Sequence, residues 1–237
     1  SEMCIRDRIN VGGVETFSTV DFPEHMAAVV FLQGCPWRCP FCHNTSLQPI
    51  DAETDFVWEK FLGFLEKRRG ILDAVVFSGG EPLVQNSLEA ALDDVMALGY
   101  KTALHTGGYR PEALRRVLPK LDWVGFDVKA PLTADAYRKA TGGYDKIDNV
   151  RQSLNALLES GVGFECRTTC DPRILNIEDI YAIAASLKEA GVKVYRLQRY
   201  RQVEGDATPD SECEKFFADK ALEKYLHESF PDFAFRS

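Results

Sequence analysis

No part of this 237-residue chain is apolar for long enough to cross a bilayer: the longest apolar run, residues 26–32, falls far short of the roughly 18 that a span needs. No basic, apolar, small-residue leader opens the chain, which argues against secretion and for the cytoplasm. Basic charge is also short. Lys and Arg number 28 against 36 Asp and Glu, a net charge of −8, the reverse of the balance in a nucleic-acid binder. No Pro/Gly/Ser-rich linker, low-complexity tract or sequence repeat divides the chain, so one domain over 9–237 is expected, with a helical tail from about 205. The seven cysteines are an odd set outside any secretory context. They read as metal binding in a reducing compartment and not as a disulfide framework.

The first eight residues stand apart. Met3-Cys4-Ile5-Arg6-Asp7-Arg8 matches an in-frame translation of a transposon-end adapter used in sequencing libraries. Residues 1–8 are expected to be an artefact and no part of the fold, the alternative being a genuine short polar tail. Their removal takes away Cys4 and leaves the net charge unchanged.

From Ile9 onward the pattern alternates short apolar runs with helical periodicity. Strands are expected at 27–32, 74–77, 101–104, 123–127, 163–168 and 194–198. Helices are expected at 55–67, 88–98, 111–118, 148–160, 177–190 and 211–227, with an extended piece at 233–235. About six βα units in series imply an α/β fold with a parallel sheet and right-handed crossovers. Periodicity leaves open whether that sheet is doubly wound or a partial barrel.

Residues 34–44 read Gly-Cys-Pro-Trp-Arg-Cys-Pro-Phe-Cys-His-Asn. Cys35, Cys39 and Cys42 form C-x3-C-x2-C directly after a buried strand, where parallel α/β folds place their active-site loops. Three thiolates on a cubane iron–sulfur cluster, which normally takes four, leave one iron open. The competing reading is a zinc knob with His43 as fourth ligand. Against it, no second ligand pair follows, and adjacent Cys42 and His43 are awkward partners for one tetrahedral ion. Ser78-Gly79-Gly80-Glu81-Pro82 ends the next strand. Two glycines permit close backbone approach, and a carboxylate can pair with an amine. Taken alone the pair would be an ordinary strand-to-helix turn.

Together these motifs resemble the radical S-adenosylmethionine (SAM) superfamily, whose signature is C-x3-C-x2-C with an aromatic residue, here Phe41, before the last cysteine. Residues 11–23 and Cys42-His43-Asn44 narrow the resemblance to glycyl-radical-enzyme activases. It is greatest to the activating proteins of anaerobic ribonucleoside-triphosphate reductase, over residues 9 to about 201. The resemblance implies a partial (β/α)6 barrel, one [4Fe–4S] cluster on Cys35, Cys39 and Cys42, and SAM. No extra cysteine lies between Cys42 and Ser78, where activases with further clusters carry them. Cofactor contacts are implied for Phe41, Gly79, Gly80 and Glu81, the last three receiving the ammonium of the methionine end.

Asp127 and Lys129 share one face of a strand end and would contact SAM, or form a solvated ion pair. Arg167 would meet the cofactor carboxylate, or an internal partner such as Glu165. His105 stands where related activases often carry an Asp that helps hold a monovalent cation. Imidazole is a poor ligand for a hard cation, so that ion is in doubt, and His105 would bond the cofactor or pack. His43 and Asn44 would shape the cluster loop. Trp37 and Arg38 are expected on the loop tip, and Cys166 facing the helices.

The implied partners are a glycyl radical enzyme, foremost anaerobic ribonucleotide reductase, and a low-potential donor such as flavodoxin or ferredoxin. No nucleic acid or membrane is implied. An activase of the pyruvate formate-lyase type, a small-molecule enzyme such as a deazapurine synthase and a zinc-stabilised interaction module are the alternatives. An open barrel side would admit a partner peptide, lined by Trp37 and the tail aromatics Phe216, Phe217, Tyr225 and Phe230. Plain core packing is the other reading of those rings.

Overall fold

The computed structural model describes residues 9–236, so the adapter-like segment lies outside the described residues. Eight strands form one sheet in strictly sequential order. They are β1 (Val11–Ser18), β2 (Ala27–Leu32), β3 (Ala74–Gly79), β4 (Lys101–Thr106), β5 (Trp123–Asp127), β6 (Gly163–Cys170), β7 (Val194–Arg199) and β8 (Asp232–Arg236). β2 to β8 run parallel, and β1 pairs antiparallel with β2. The six expected strands are β2–β7, the extended piece expected at 233–235 is β8, and β1 is added at the other edge. β1 alternates too weakly to be read as a strand: most of its residues are exposed or half-buried, as befits an edge.

Sequential order decides between the two candidate architectures. Right-handed crossovers that always step the same way put every helix on one face. The packing agrees. The alternate strand residues Val30, Val75, Phe77, Leu104, Val124, Phe126 and Leu197 share a single core with residues from all eight helices. The opposite face carries a small separate core of Ala27, Val29, Ala74, Val76 and Ala103, closed by Phe22 from the β1–β2 loop. Phe22 stacks on Trp123 at 5.6 Å. One helical face and one inner face make a partial barrel that does not close, since β1 and β8 do not pair.

The helices are α1 (Trp58–Glu66), α2 (Leu88–Ala97), α3 (Pro111–Val117), α4 (Ala134–Thr141), α5 (Ile147–Ser160), α6 (Ile177–Ala190), α7 (Asp210–Ala218) and α8 (Lys220–Ser229). α6 starts on a capping box between Asn176 and Asp179 and stops at Gly191 in the left-handed region. α4 was not expected. Thr133 caps it and Gly142, at φ 69°, ends it. The single tail helix expected at 211–227 is two helices, because Asp219 leaves helical geometry and its carboxylate caps α8. Phe216 and Phe230 are buried in the main core, with Phe217 and Tyr225 packed against it. Core packing is thus the correct reading of the tail aromatics, and they do not line an opening.

Candidate active site

The cleft begins where two strands part. β2 and β3 stay paired out to Leu32↔Gly79, whereas β3 and β4 stop pairing at Phe77↔Leu104. Beyond that point lies a cleft of about 700 Å³ including its mouth, lined by the ends of β3, β4 and β5, by β6, and by the cysteine loop. It sits at the C-terminal end of the parallel strands, where α/β folds present their ligand sites.

The cysteine loop leaves β2 and is pinned at its neck. Gly34 N–H donates to Leu47 O at 2.8 Å, and Cys35 N–H to Gln48 O at 3.0 Å. Its far side is tied to α4: Arg38 N–H donates to Thr141 O at 2.8 Å, and the Arg38 guanidinium holds the Cys35 and Trp37 carbonyls. Cys35, Cys39 and Cys42 all line the cleft. Burial pushes the Cys35 thiol up to about 12 and raises Cys39. Among the described residues, no three His, Cys, Asp or Glu side chains converge on a point that suits one metal ion. His43 is exposed and off the cleft wall, while Asn44 is on it.

Trp37 overturns an expectation. It is not on an exposed tip but 3% exposed, with its indole against Gly107 and its ring edge-on to Tyr109 and Tyr144 at 6.3 and 5.6 Å. A Cβ at Gly107 would fall 2.2 Å from the indole, so only glycine fits there. The Trp37 Nε1–H is buried with no partner. A donor left orphaned in a cleft costs free energy unless a ligand accepts from it.

The opposite wall is the Ser78–Glu81 turn. Gly79 sits at φ 106°, and a Cβ there would lie 2.3 Å from the Leu32 nitrogen. A Cβ at Gly80 would lie 2.2 Å from the Gly34 carbonyl. The glycines therefore let this turn close onto the cysteine loop's own backbone. Glu81 is 1% exposed and its carboxylate is fully engaged. It accepts from the Thr106 hydroxyl at 2.5 Å, Gly107 N–H at 2.9 Å and Leu83 N–H at 3.1 Å. Burial raises its pKa, and these three donors work against that rise. Glu81 joins the ends of β3 and β4, a duty that sequence reasoning missed.

A chain of charges crosses the floor. Arg167 on β6 places Nε and Nη2 each 2.8 Å from Asp127 Oδ1 on β5, its register partner. Asp127 Oδ2 faces Lys129 Nζ at 3.5 Å, and that ammonium lies 5.1 and 5.8 Å from the Trp37 and Phe41 ring centres. Burial alone would raise Asp127, but Arg167 and Lys129 hold it below the usual carboxylate range. Burial likewise opposes the Lys129 charge, yet Asp127 and the thiols of Cys39 and Cys35 keep it above the usual lysine range. Glu165, the alternative partner for Arg167, is instead clasped by Arg196 and Arg236. His105 is buried and neutral, its pKa held down near 3 first by burial and then by Arg167. Its Nε2–H donates to Asp21 O at 2.8 Å, and Nδ1 faces the Ser78 hydroxyl at 3.3 Å. Cys166 faces the helices, fully buried, as its alternation with Arg167 requires.

A second groove beside Asn10, Gln33 and Gln85 offers no comparable chemistry. Its amides are bonded to the backbone of Asn10, Gln33, Ser46, Pro49 and Ala52.

The Radical SAM superfamily profile matches residues 29–170, which contain both motifs and most of the charged floor. The chain belongs to the radical SAM superfamily. A Methanocaldococcus jannaschii protein described as a glycyl-radical enzyme activating enzyme is 29% identical over 199 residues, 80% of this chain and 79% of the relative. The pyruvate formate-lyase-activating enzyme of Clostridium pasteurianum is 32% identical over 140 residues, 56% of this chain and 57% of that enzyme. Streptococcus suis SuiB bound to S-adenosylmethionine shares the fold at a TM-score of 0.65 and 15% identity, over 86% of this chain and 48% of SuiB.

Membership of the radical SAM superfamily implies a [4Fe–4S] cluster and SAM. The donor set fits them: three thiols without a fourth partner, a cationic Lys129 beside them, and a buried, unpaired indole N–H on Trp37, whose side chain lines the same cleft. No helix among the described residues is long and apolar enough to cross a membrane.

Proposed function

We propose that this protein is a glycyl-radical-enzyme activase whose target is an anaerobic ribonucleoside-triphosphate reductase, served in the cytoplasm by flavodoxin or ferredoxin. One observation carries the reading. The three thiols of the cysteine loop and the Gly79-Gly80-Glu81 turn line a single cleft at the mouth of an open, one-sided sheet. The similarity to activating enzymes over 80% of the chain supports the same class.

When bound, a reduced cluster supplies an electron that cleaves SAM to methionine and a 5′-deoxyadenosyl radical able to take hydrogen from a backbone glycine of the partner. Cys35, Cys39 and Cys42 would hold the cluster. The Gly79-Gly80 backbone would meet the methionine ammonium, with Glu81 fixing that backbone by joining the ends of β3 and β4. Lys129 and Arg167 present positive charge for the methionine carboxylate. The indole of Trp37 and the ring of Phe41 keep water from that wall. No side chain here has to act as a general acid or base.

The test mixes anaerobically reconstituted protein, dithionite and SAM with the reductase of the same organism. A glycyl-radical doublet in electron paramagnetic resonance, absent when the reductase's radical glycine is alanine, is the expected result. A doublet only with pyruvate formate-lyase would move the target and keep the class. SAM cleavage that modifies a small molecule and yields no doublet would overturn the activase reading.

A further inference from the structure

Related activases are implied to hold a monovalent cation beside the cofactor, through an oxygen ligand where this chain has His105. The residues here do not fit such an ion. We infer that the guanidinium of Arg167 stands in its place as a fixed internal cation, so that SAM binding by this protein is independent of potassium and sodium. The inference rests on the cofactor reading above.

The oxygens of Asp127, Gly125, Thr106 and Ser78 on this wall all have polar partners. Asp127 Oδ1 takes both Nε and Nη2 of Arg167 at 2.8 Å. The Gly125 carbonyl faces Nη2 at 3.5 Å. Asp127 Oδ2 is turned to Lys129. The Thr106 hydroxyl donates to Glu81 and accepts from Gly108 N–H at 3.0 Å. The Ser78 hydroxyl is shared with His105. His105 is no better a ligand, since Nε2 carries a proton bonded to the Asp21 carbonyl and the Nδ1 lone pair faces the Ser78 hydroxyl.

The space is filled as well. A Cβ at Gly125 would lie 2.7 Å from both Cζ and Nη1 of Arg167, and 3.0 Å from the His105 ring. Glycine at 125 thus lets the guanidinium lie against the β5 backbone. The charge balance agrees. Asp127 supplies one negative charge against Arg167 and Lys129; Glu81, the other carboxylate of the cleft, is taken up by Thr106, Gly107 and Leu83, and Glu165 is held by Arg196 and Arg236. A further monovalent ion at Asp127 would sit against the Arg167 guanidinium and be repelled by it, whereas an incoming carboxylate would be attracted to that guanidinium.

The experiment is calorimetric titration of SAM into anaerobically reconstituted protein in tetramethylammonium, potassium and sodium chloride at equal ionic strength. The wild-type Kd should agree within about twofold across the three salts, since screening is matched. Arg167→Gln frees Asp127 and Gly125. Its Kd should weaken about tenfold or more in tetramethylammonium and recover about severalfold in potassium. Arg167→Lys keeps a charge and should stay insensitive to the salt. Iron content and circular dichroism check that each variant is folded. If the glutamine variant fails to fold, the wild-type and lysine titrations decide. A wild-type Kd that tightens about tenfold on adding potassium or sodium overturns the inference, as does a folded Arg167→Gln that binds equally in all three salts. Wild-type protein that holds its iron but binds no SAM in any salt overturns the cofactor reading itself.

Discussion

Replacing Glu81 by alanine removes the acceptor for three buried donors at once. The carboxylate holds the Thr106 hydroxyl and two backbone N–H groups, at Gly107 and Leu83. Hydrogen bonds to a charged group contribute about 1.5–3 kcal/mol each, and a stranded buried donor costs about 1–3 kcal/mol. Losing the desolvation penalty of the carboxylate offsets part of that sum, so a net loss of about 3–5 kcal/mol is expected, as for other broken buried ionic contacts. For a chain this long, about 2–4 °C of Tm per kcal/mol converts this to a drop of about 6–20 °C. Glutamine keeps one acceptor oxygen but turns its NH2 toward the Gly107 N–H or the Thr106 hydroxyl, and should cost about 1–3 kcal/mol. The assay is thermal melting of wild type, Glu81→Gln and Glu81→Ala, alongside iron analysis after reconstitution and SAM titration. The carboxylate bonds Thr106, Gly107 and Leu83 and not the cysteines, so iron content should hold while Tm falls in that order and SAM binding weakens. A Glu81→Ala protein that melts with wild type, or that loses its iron, would refute the account of Glu81 as the tie between β3 and β4.

Cys39→Ala should abolish the roughly four irons and four sulfides of a cubane, measured by iron and labile-sulfide analysis. A purified wild-type protein with one zinc and no labile sulfide would sink the cluster assignment. Gly107→Ala drives a methyl into the Trp37 indole, whose atoms would be 2.2 and 2.3 Å away, and should cost about 1–3 kcal/mol with a shifted tryptophan emission. Unchanged Tm and emission would mean the indole is not wedged there. The Asp127 pKa lies below its ordinary 3.8, so its ion pairs stabilise the fold above that pH, and the stability is lost as acid carries it through the depressed value. Acid melts should therefore show wild type losing Tm faster than Asp127→Asn below about pH 4, and parallel curves would refute the pairing.

The cysteine motif and the Gly-Gly-Glu turn were legible because each needs particular residue types in short sequence order. The outer strand faces were legible because buried parallel strands are apolar runs. What was hidden depended on partners far apart in sequence. Glu81 reads as a ligand for an amine until Thr106 and Gly107, 25 and 26 residues away, are brought to it. Trp37 looks like a loop-tip residue until α4 and the β4 end close over it. The only sequence trace of that pocket is Gly107-Gly108 directly after a strand. α4 itself was hidden because it is short and buries only Tyr137, Ala140 and Thr141, although Thr133 and Gly142 mark its ends. The break at Asp219 was hidden by helical periodicity that continues across it.

The site's layering follows from strand period and register. On the inner face, two residues along β3 lead from Val76 in the inner core to Ser78 in the cleft, and two along β4 from Ala103 to His105. On β5 the same step leads from Gly125, which makes room for a guanidinium, to Asp127, which binds it. Register then sets Asp127 directly opposite Arg167. A slip of one residue on β6 would turn Cys166 into the cleft and drive the Arg167 guanidinium among Val124, Phe126 and the helices with no acid to meet it. Burying an unpaired charge costs several kcal/mol, more than most single contacts in the fold provide. The charged floor that suits the cofactor thus also works against misregistered pairing of β5 and β6. The side chains that would hold the cofactor's anionic end are therefore among those that specify the sheet.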